Sequence, residues 1–145
     1  MFQITSDLSL LLRREQPIGN IGNDVLVSGV SGVWVTLDSN GNAIRTQTNT
    51  QLAWPVFNSS SYDGTILWTP DVTNALLVTT LSGNFYARTD QFYGSPVTAS
   101  PLKTGTNGQL TTGTENGLNV AYCVKAPYTY NYLGKNFTVI DIYVF

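Results

Sequence analysis

The side chains that could act as acid, base, nucleophile or metal ligand are few and scattered. The chain has no histidine and a single cysteine, Cys123. Without imidazole, Ser-His and Cys-His catalysis, histidine acid–base chemistry and almost every zinc site are excluded. Cys123 lies within a strand-like run with no activating cation or helix start beside it in sequence, which predicts a buried, inert thiol. Asp63, Asp71, Asp90, Glu115 and Asp141 occur singly. A glycosidase-type pair would need two of them to meet in space, and nothing in their spacing brings that about. Asp63 and Asp71 stand in turn contexts, where Asp caps its own backbone. Asp141 falls mid-strand and is expected to face solvent, an interface or an arginine. Asp38-Ser39-Asn40-Gly41-Asn42 opens like a calcium loop, but the following Ala43–Thr48 stretch supplies no carboxylate, so a hairpin turn is predicted. No catalytic residue, metal or cofactor is expected, and the chain reads as a non-enzyme.

The aromatic residues are the other candidates. Trp34, Trp54, Trp68 and the tyrosines could stack on sugars or on single-stranded nucleic acid. The formal net charge is −2, the isoelectric point is near 4.7, and Arg13-Arg14 is the only adjacent basic pair. That distribution cannot track phosphates, so nucleic acid is not an expected partner. Aromatics of this kind more often anchor cores and interfaces. The Tyr128-Thr129-Tyr130-Asn131-Tyr132 stretch reads as a loop between two strands, and hence as the most exposed aromatic surface.

The elements that must position these residues are β-strands. With 145 residues, the chain has the length of one domain, and charged residues make up only 11% of it. Gly, Asn, Ser and Pro interrupt short runs of Val, Ile, Thr, Tyr, Phe and Trp, a pattern of all-β folds. The expectation is an all-β protein, a small β-sandwich or partly open β-barrel of antiparallel strands. Gly32–Leu37 and Ala43–Gln47 form a hairpin across Asn40-Gly41, predicted as a two-residue turn with positive φ at both central positions. Pro55 demotes Leu52–Phe57 to an edge or bulged strand. Ala75–Leu81, Phe85–Tyr93, Gln109–Thr112, Asn119–Lys125 and Phe137–Phe145 follow as strands, with a turn at Asn107-Gly108. In Asn119–Lys125, alternation places Ala121, Cys123 and Lys125 on one face and Val120, Tyr122 and Val124 on the other. No apolar run approaches the roughly 18 residues of a membrane span, so no membrane partner is expected. Residues 1–18 are read as an N-terminal arm or docking segment, with a first strand or helical turn as the alternative. Residues 19–145 are read as a single β-domain.

The order of these fragments resembles a known family. Gly32-Val33-Trp34-Val35-Thr36-Leu37-Asp38 with Asn40-Gly41, then Leu52-Ala53-Trp54-Pro55-Val56-Phe57, is similar to the first half of tailed-bacteriophage capsid decoration (cement) proteins. Ala87–Phe92, Gly108-Gln109-Leu110-Thr111-Thr112 and Val120–Pro127 resemble the second half, and the likeness covers most of residues 24–145. The resemblance implies a β-domain on the outer surface of the expanded phage head, in the virion, after synthesis in the bacterial host cytoplasm. There it would bind major capsid protein at subunit junctions and stabilise the shell mechanically, as a homo-oligomer (trimer or dimer). It transfers no catalytic residues. Candidate capsid or inter-subunit contacts are Leu10, Arg13 and Arg14 of the arm, the Trp54-Pro55 edge, and Tyr128, Tyr130 and Tyr132. Alternatives are a tail-tube or head-fibre subunit, a carbohydrate-binding module, and a hydrolase built on paired carboxylates.

Overall fold

The structure, a computed structural model, describes residues 1–5, 13–14, 32–47, 53–58, 78–81, 84–113, 117–132 and 134–145. They form eleven strands: β1 (Phe2–Ile4), β2 (Arg13–Arg14), β3 (Val33–Leu37), β4 (Ala43–Arg45), β5 (Trp54–Asn58), β6 (Val78–Leu81), β7 (Phe85–Thr89), β8 (Pro101–Thr104), β9 (Leu110–Thr111), β10 (Asn119–Tyr132) and β11 (Lys135–Val144). The protein is all-β, as the punctuation of the sequence predicts. A six-stranded sheet runs β1-β7-β11-β10-β8-β9 and a five-stranded sheet runs β2-β6-β5-β3-β4. Every strand pairing in both sheets is antiparallel. The larger sheet curls without closing into a barrel. Just beyond β7, Phe92 meets Leu110 of β9 in a single parallel bridge. The Tyr93 amide donates to the Leu110 carbonyl (3.0 Å) and the Leu110 amide to that of Gln91 (2.9 Å).

The inner face of the curled sheet carries the core. Alternation along each strand sends Phe85 and Ala87 of β7, Ala121 and Cys123 of β10, and Ile140, Ile142 and Val144 of β11 inward, where all are buried. Leu102, Leu110, Val120, Phe2 and Ile4 complete the cluster, and Trp34 enters it from the five-stranded sheet. Phe2 and Ile4 correct one expectation. Phe2–Ile4 pairs with Ala87–Thr89, so this part of the proposed arm is an edge strand whose side chains belong to the core. Arg13 and Arg14 likewise pair with Leu81 and Thr80. The described parts of residues 1–18 therefore belong to the two sheets, and Leu10 lies outside the described residues.

The sheets are clasped where β4 ends. Thr46, fully buried, donates its amide to the Trp34 carbonyl (3.0 Å), accepts the Gly108 amide (3.0 Å) and donates its hydroxyl to the Gly105 carbonyl (3.2 Å). The turn between β8 and β9 thereby docks on β3. That turn has positive φ at both Asn107 (60°) and Gly108 (68°), closed by the Gln109 amide on the Thr106 carbonyl, the geometry the Asn-Gly pair favours. The other Asn-Gly pair departs from expectation. Only Gly41 (80°) has positive φ in the β3–β4 loop. The Gly41 amide reaches the Asp38 carbonyl (3.0 Å), and the Asp38 amide reaches that of Asn42 (2.9 Å). The loop is a three-residue turn with a glycine bulge, because the Asp38 carboxylate accepts the Asn40 and Asn42 amides and fixes it. Those bonds also lower the Asp38 pKa, the Asn42 backbone amide contributing most.

Pro55 does not make β5 an edge. The strand lies between β3 and β6, and Pro55 is buried opposite Trp34. The Trp34 carbonyl is used by Thr46, away from β5, so this pair exchanges no ladder bonds. Pairing with β6 starts one residue later, at Val56. The missing proline N–H therefore falls beyond the end of the β5–β6 ladder.

The clasp gives a direct test. A Cβ on Gly108 would stand 2.7 Å from the Trp34 carbonyl oxygen, on backbone already at φ +68°, whereas one on Gly41 would meet nothing within 4 Å. Gly108→Ala is expected to cost about 2–3 kcal/mol in denaturant unfolding, and Gly41→Ala about 1 kcal/mol, the left-handed backbone penalty alone.

Candidate interaction surface

If Phe85, Ala87 and Thr89 point inward, Tyr86 and Arg88 point out; if Ile140, Ile142 and Val144 point inward, Asp141, Tyr143 and Phe145 point out. Strand register assembles them. Tyr86, Tyr143 and Tyr122 form one row across β7, β11 and β10, and Arg88, Asp141 and Lys125 form the next. The rings of Tyr86 and Tyr143 lie 5.0 Å apart and those of Tyr122 and Phe145 5.3 Å apart. Tyr86, Tyr122 and Phe145 remain 49%, 43% and 49% exposed.

Lys125 reaches this face through a correction to the simple alternation. Register shifts between Cys123 and Lys125, and again between Lys125 and Tyr128, put extra residues in β10. The first shift turns Lys125 out opposite Asp141 instead of inward with Ala121 and Cys123, and the second sets Tyr128 opposite Val139. Pro127 sits in the second irregularity, where no ladder donor is needed.

The centre of the face is a closed polar network. Asp141 Oδ1 accepts Arg88 Nε (2.9 Å) and the Tyr128 hydroxyl (2.8 Å). Arg88 Nη1 donates to Gln3 Oε1 (3.2 Å), which ties in β1. The Arg88 guanidinium lies 4.1 Å from the Tyr130 ring centre and 5.6 Å from that of Tyr128, and Lys125 Nζ lies 3.7 Å from the Tyr128 ring. Burial and then the bond to Asp141 push the Tyr128 pKa up to about 12. For Arg88, burial alone would lower the pKa, but the Asp141 contacts outweigh it and the guanidinium is held more firmly charged. Arg88 and Asp141 thus neutralise each other within the face, and the Lys125 ammonium rests on the Tyr128 ring.

Beyond this network β10 and β11 continue as a two-stranded ribbon. Among the described residues, Tyr128–Tyr132 and Lys135–Val139 pair only with each other, with Tyr132 opposite Lys135. The expected loop is therefore a strand. Tyr128, Tyr130 and Tyr132 are half-buried on one face, while Thr129, Asn131, Asn136 and Thr138 are exposed. Asn131 Nδ2 donates to Asn136 Oδ1 (2.7 Å).

Of the contacts predicted from sequence, the structure brings together only Tyr128, Tyr130 and Tyr132. Arg13, Arg14, Trp54 and Pro55 belong to the other sheet, Pro55 being buried rather than at an edge. Trp34, 1% exposed, cannot join a stacking platform. Sequence reasoning missed Tyr86, Arg88, Tyr122, Lys125, Tyr143 and Phe145. Their readable signals were the alternation Phe85-Tyr86-Ala87-Arg88-Thr89 and the placing of Tyr122 opposite the face of Ala121 and Cys123. Of the candidate carboxylates, Asp90 pairs with the Met1 amino group and Asp141 with Arg88; Asp63, Asp71 and Glu115 lie outside the described residues. Among the described residues no three His, Cys, Asp or Glu side chains cluster as a metal site, and no helix is long and apolar enough to cross a membrane.

The raised Tyr128 pKa sets a pH dependence. For an acid whose folded pKa exceeds its unfolded one, the stability it contributes is complete below the unfolded pKa of about 10 and lost as pH rises through about 12. Ultraviolet titration of tyrosinate should show one late-ionising tyrosine that disappears in Tyr128→Phe. Asp141→Asn, which removes the carboxylate from under Arg88 and Tyr128, should cost about 1–2 kcal/mol in chemical unfolding.

No protein-family model, curated protein or solved structure matches this chain.

Proposed function

We propose that the chain is a structural contact protein of the capsid-decoration type. It binds the outer surface of an expanded phage head at junctions between major capsid protein subunits and holds them together. The observation that carries this reading is the outer face of the six-stranded sheet. Tyrosine is the residue favoured in interface cores because it combines contact area, few rotatable bonds and a polar tip. Here Tyr86, Tyr122, Tyr143 and Phe145 stand beside an Arg88–Asp141–Tyr128 network that satisfies its own charges. Such a face docks on a protein surface with little charge left to desolvate unpaired. The weakly charged chain supports the same reading, and so does the order of fragments that resembles cement proteins. Repetition supplies the strength: many copies on one shell convert modest contacts into a tight coat through effective concentration.

The test is add-back. Purified protein is mixed with expanded heads prepared without it, and bound copies and the shell's disruption temperature are recorded. Saturable binding at a fixed ratio to capsid subunits, with a raised disruption temperature, is the expected outcome. Tyr86→Ser and Tyr122→Ser, both at exposed positions, should each weaken binding about thirtyfold if these rings are interface anchors. Absence of binding would overturn the reading.

A further inference from the structure

We infer that the free edge of the β10 ribbon, Tyr128–Tyr132, pairs antiparallel with the same edge of a second copy of the chain, about a two-fold axis at Tyr130. The pairing belongs to the free chain in solution and does not depend on a capsid. β8 and the two residues before it cover β10 only as far as Cys123, and among the described residues no strand flanks Tyr128–Tyr132 on that side. A strand with one edge bare presents a row of unpaired N–H and C=O groups, a template for another strand.

Edges that must stay single are normally guarded by lysine, proline, a bulge or a very short strand. The guards on β10 are Lys125, Pro127 and the two register shifts, and all precede Tyr128. The next five residues hold no charge and no proline. On the opposite edge of the ribbon, β11 begins with Lys135. Among the described residues both edges of the ribbon lack a neighbour, but only the β10 edge is without a lysine guard, and its composition selects a like partner. A second copy brings no opposed charge to satisfy and no like charge to repel.

The register follows from symmetry. With the two-fold at Tyr130, Tyr128 of one copy opposes Tyr132 of the other and Tyr130 opposes Tyr130, all on the aromatic face. Thr129 opposes Asn131 on the polar face, where Asn131 and Asn136 already form a side-chain hydrogen bond across the ribbon. An axis at Thr129 would bring Pro127 into the ladder, and one at Asn131 would pair only three residues. Tyr130 is the centre giving the longest ladder free of proline. The product is a four-stranded sheet, β11-β10-β10-β11, with cross-strand tyrosine pairs along one side. The contact is short beside those of permanent complexes, so it should be reversible and concentration-dependent.

Sedimentation velocity over a concentration series tests the pairing. The wild-type chain is expected to shift from monomer to dimer. Thr129→Lys/Asn131→Lys, which sets lysines opposite one another twice at exposed positions, should remain monomeric with unchanged circular dichroism. Asn136→Lys/Thr138→Lys, which adds the same charge to the other edge, should dimerise like the wild type. Register is read by oxidation: a mixture of Thr129→Cys and Asn131→Cys chains should cross-link heterotypically faster than either chain alone, because only opposed positions meet the disulfide distance limit. A wild-type chain that stays monomeric throughout would overturn the inference. A dimer that survives the double lysine change on β10 would overturn it equally.

Discussion

Thr46 holds the two sheets in register with each other, and most of the molecule's geometry depends on it. Its carbonyl and hydroxyl bond across the junction to Gly108 and Gly105, while its amide bonds back to Trp34 of its own sheet. Because Thr46 is fully buried, each of those groups would cost free energy if its partner moved away. Trp34 is thereby fixed as the side chain through which the smaller sheet enters the core of the larger one. The approach is close enough that only glycine fits at position 108. A short polar clasp and one large ring therefore do what a broad sheet-on-sheet contact does in larger sandwiches.

With the inner face committed to this core, the outer face of the six-stranded sheet is free to carry interaction chemistry. It carries tyrosines rather than a reactive cluster. Arg88 and Asp141 satisfy each other and recruit Tyr128 and Gln3, so the polar groups stiffen four adjacent strands instead of presenting an isolated charge. Two irregularities in β10 decide which side chains take part. They turn Lys125 outward, align Tyr128 with Val139 and accommodate Pro127. They also separate the body of the sheet from the ribbon. The strand that closes the core and the strand that projects from it are one continuous stretch of chain.

Much of this was legible in the sequence, and each miss has its own physical cause. The burial of Cys123 followed from its place in a strand-like run, and an arginine was one of the three surroundings expected of Asp141 as a mid-strand carboxylate. Asn107-Gly108 adopted the turn its residues favour. Asn40-Gly41 did not, because Asp38, two residues earlier, offered the loop amides a carboxylate. Tyr128–Tyr132 was misread as a loop because the tyrosines alternate with Thr and Asn, polar on one face, with no core beneath to reveal a strand. Pro55 was misread as an edge marker because one missing donor can be hidden at the end of a ladder.

The sequence by itself determined the class of structure and the chemistry available to it. Alternation and turn residues specify β-strands locally, and a chain without histidine offers no imidazole for acid–base or metal chemistry. Which strands neighbour one another was decided only in three dimensions. Arg88 and Asp141 are 53 positions apart, and Thr46 and Gly105 are 59 apart. Such pairs meet only when the sheet order and the bulges of β10 are set, and no local pattern encodes either. The tyrosine face and the bare ribbon edge are properties of that pairing, because a strand's exposure depends on which neighbours reach it and where they stop.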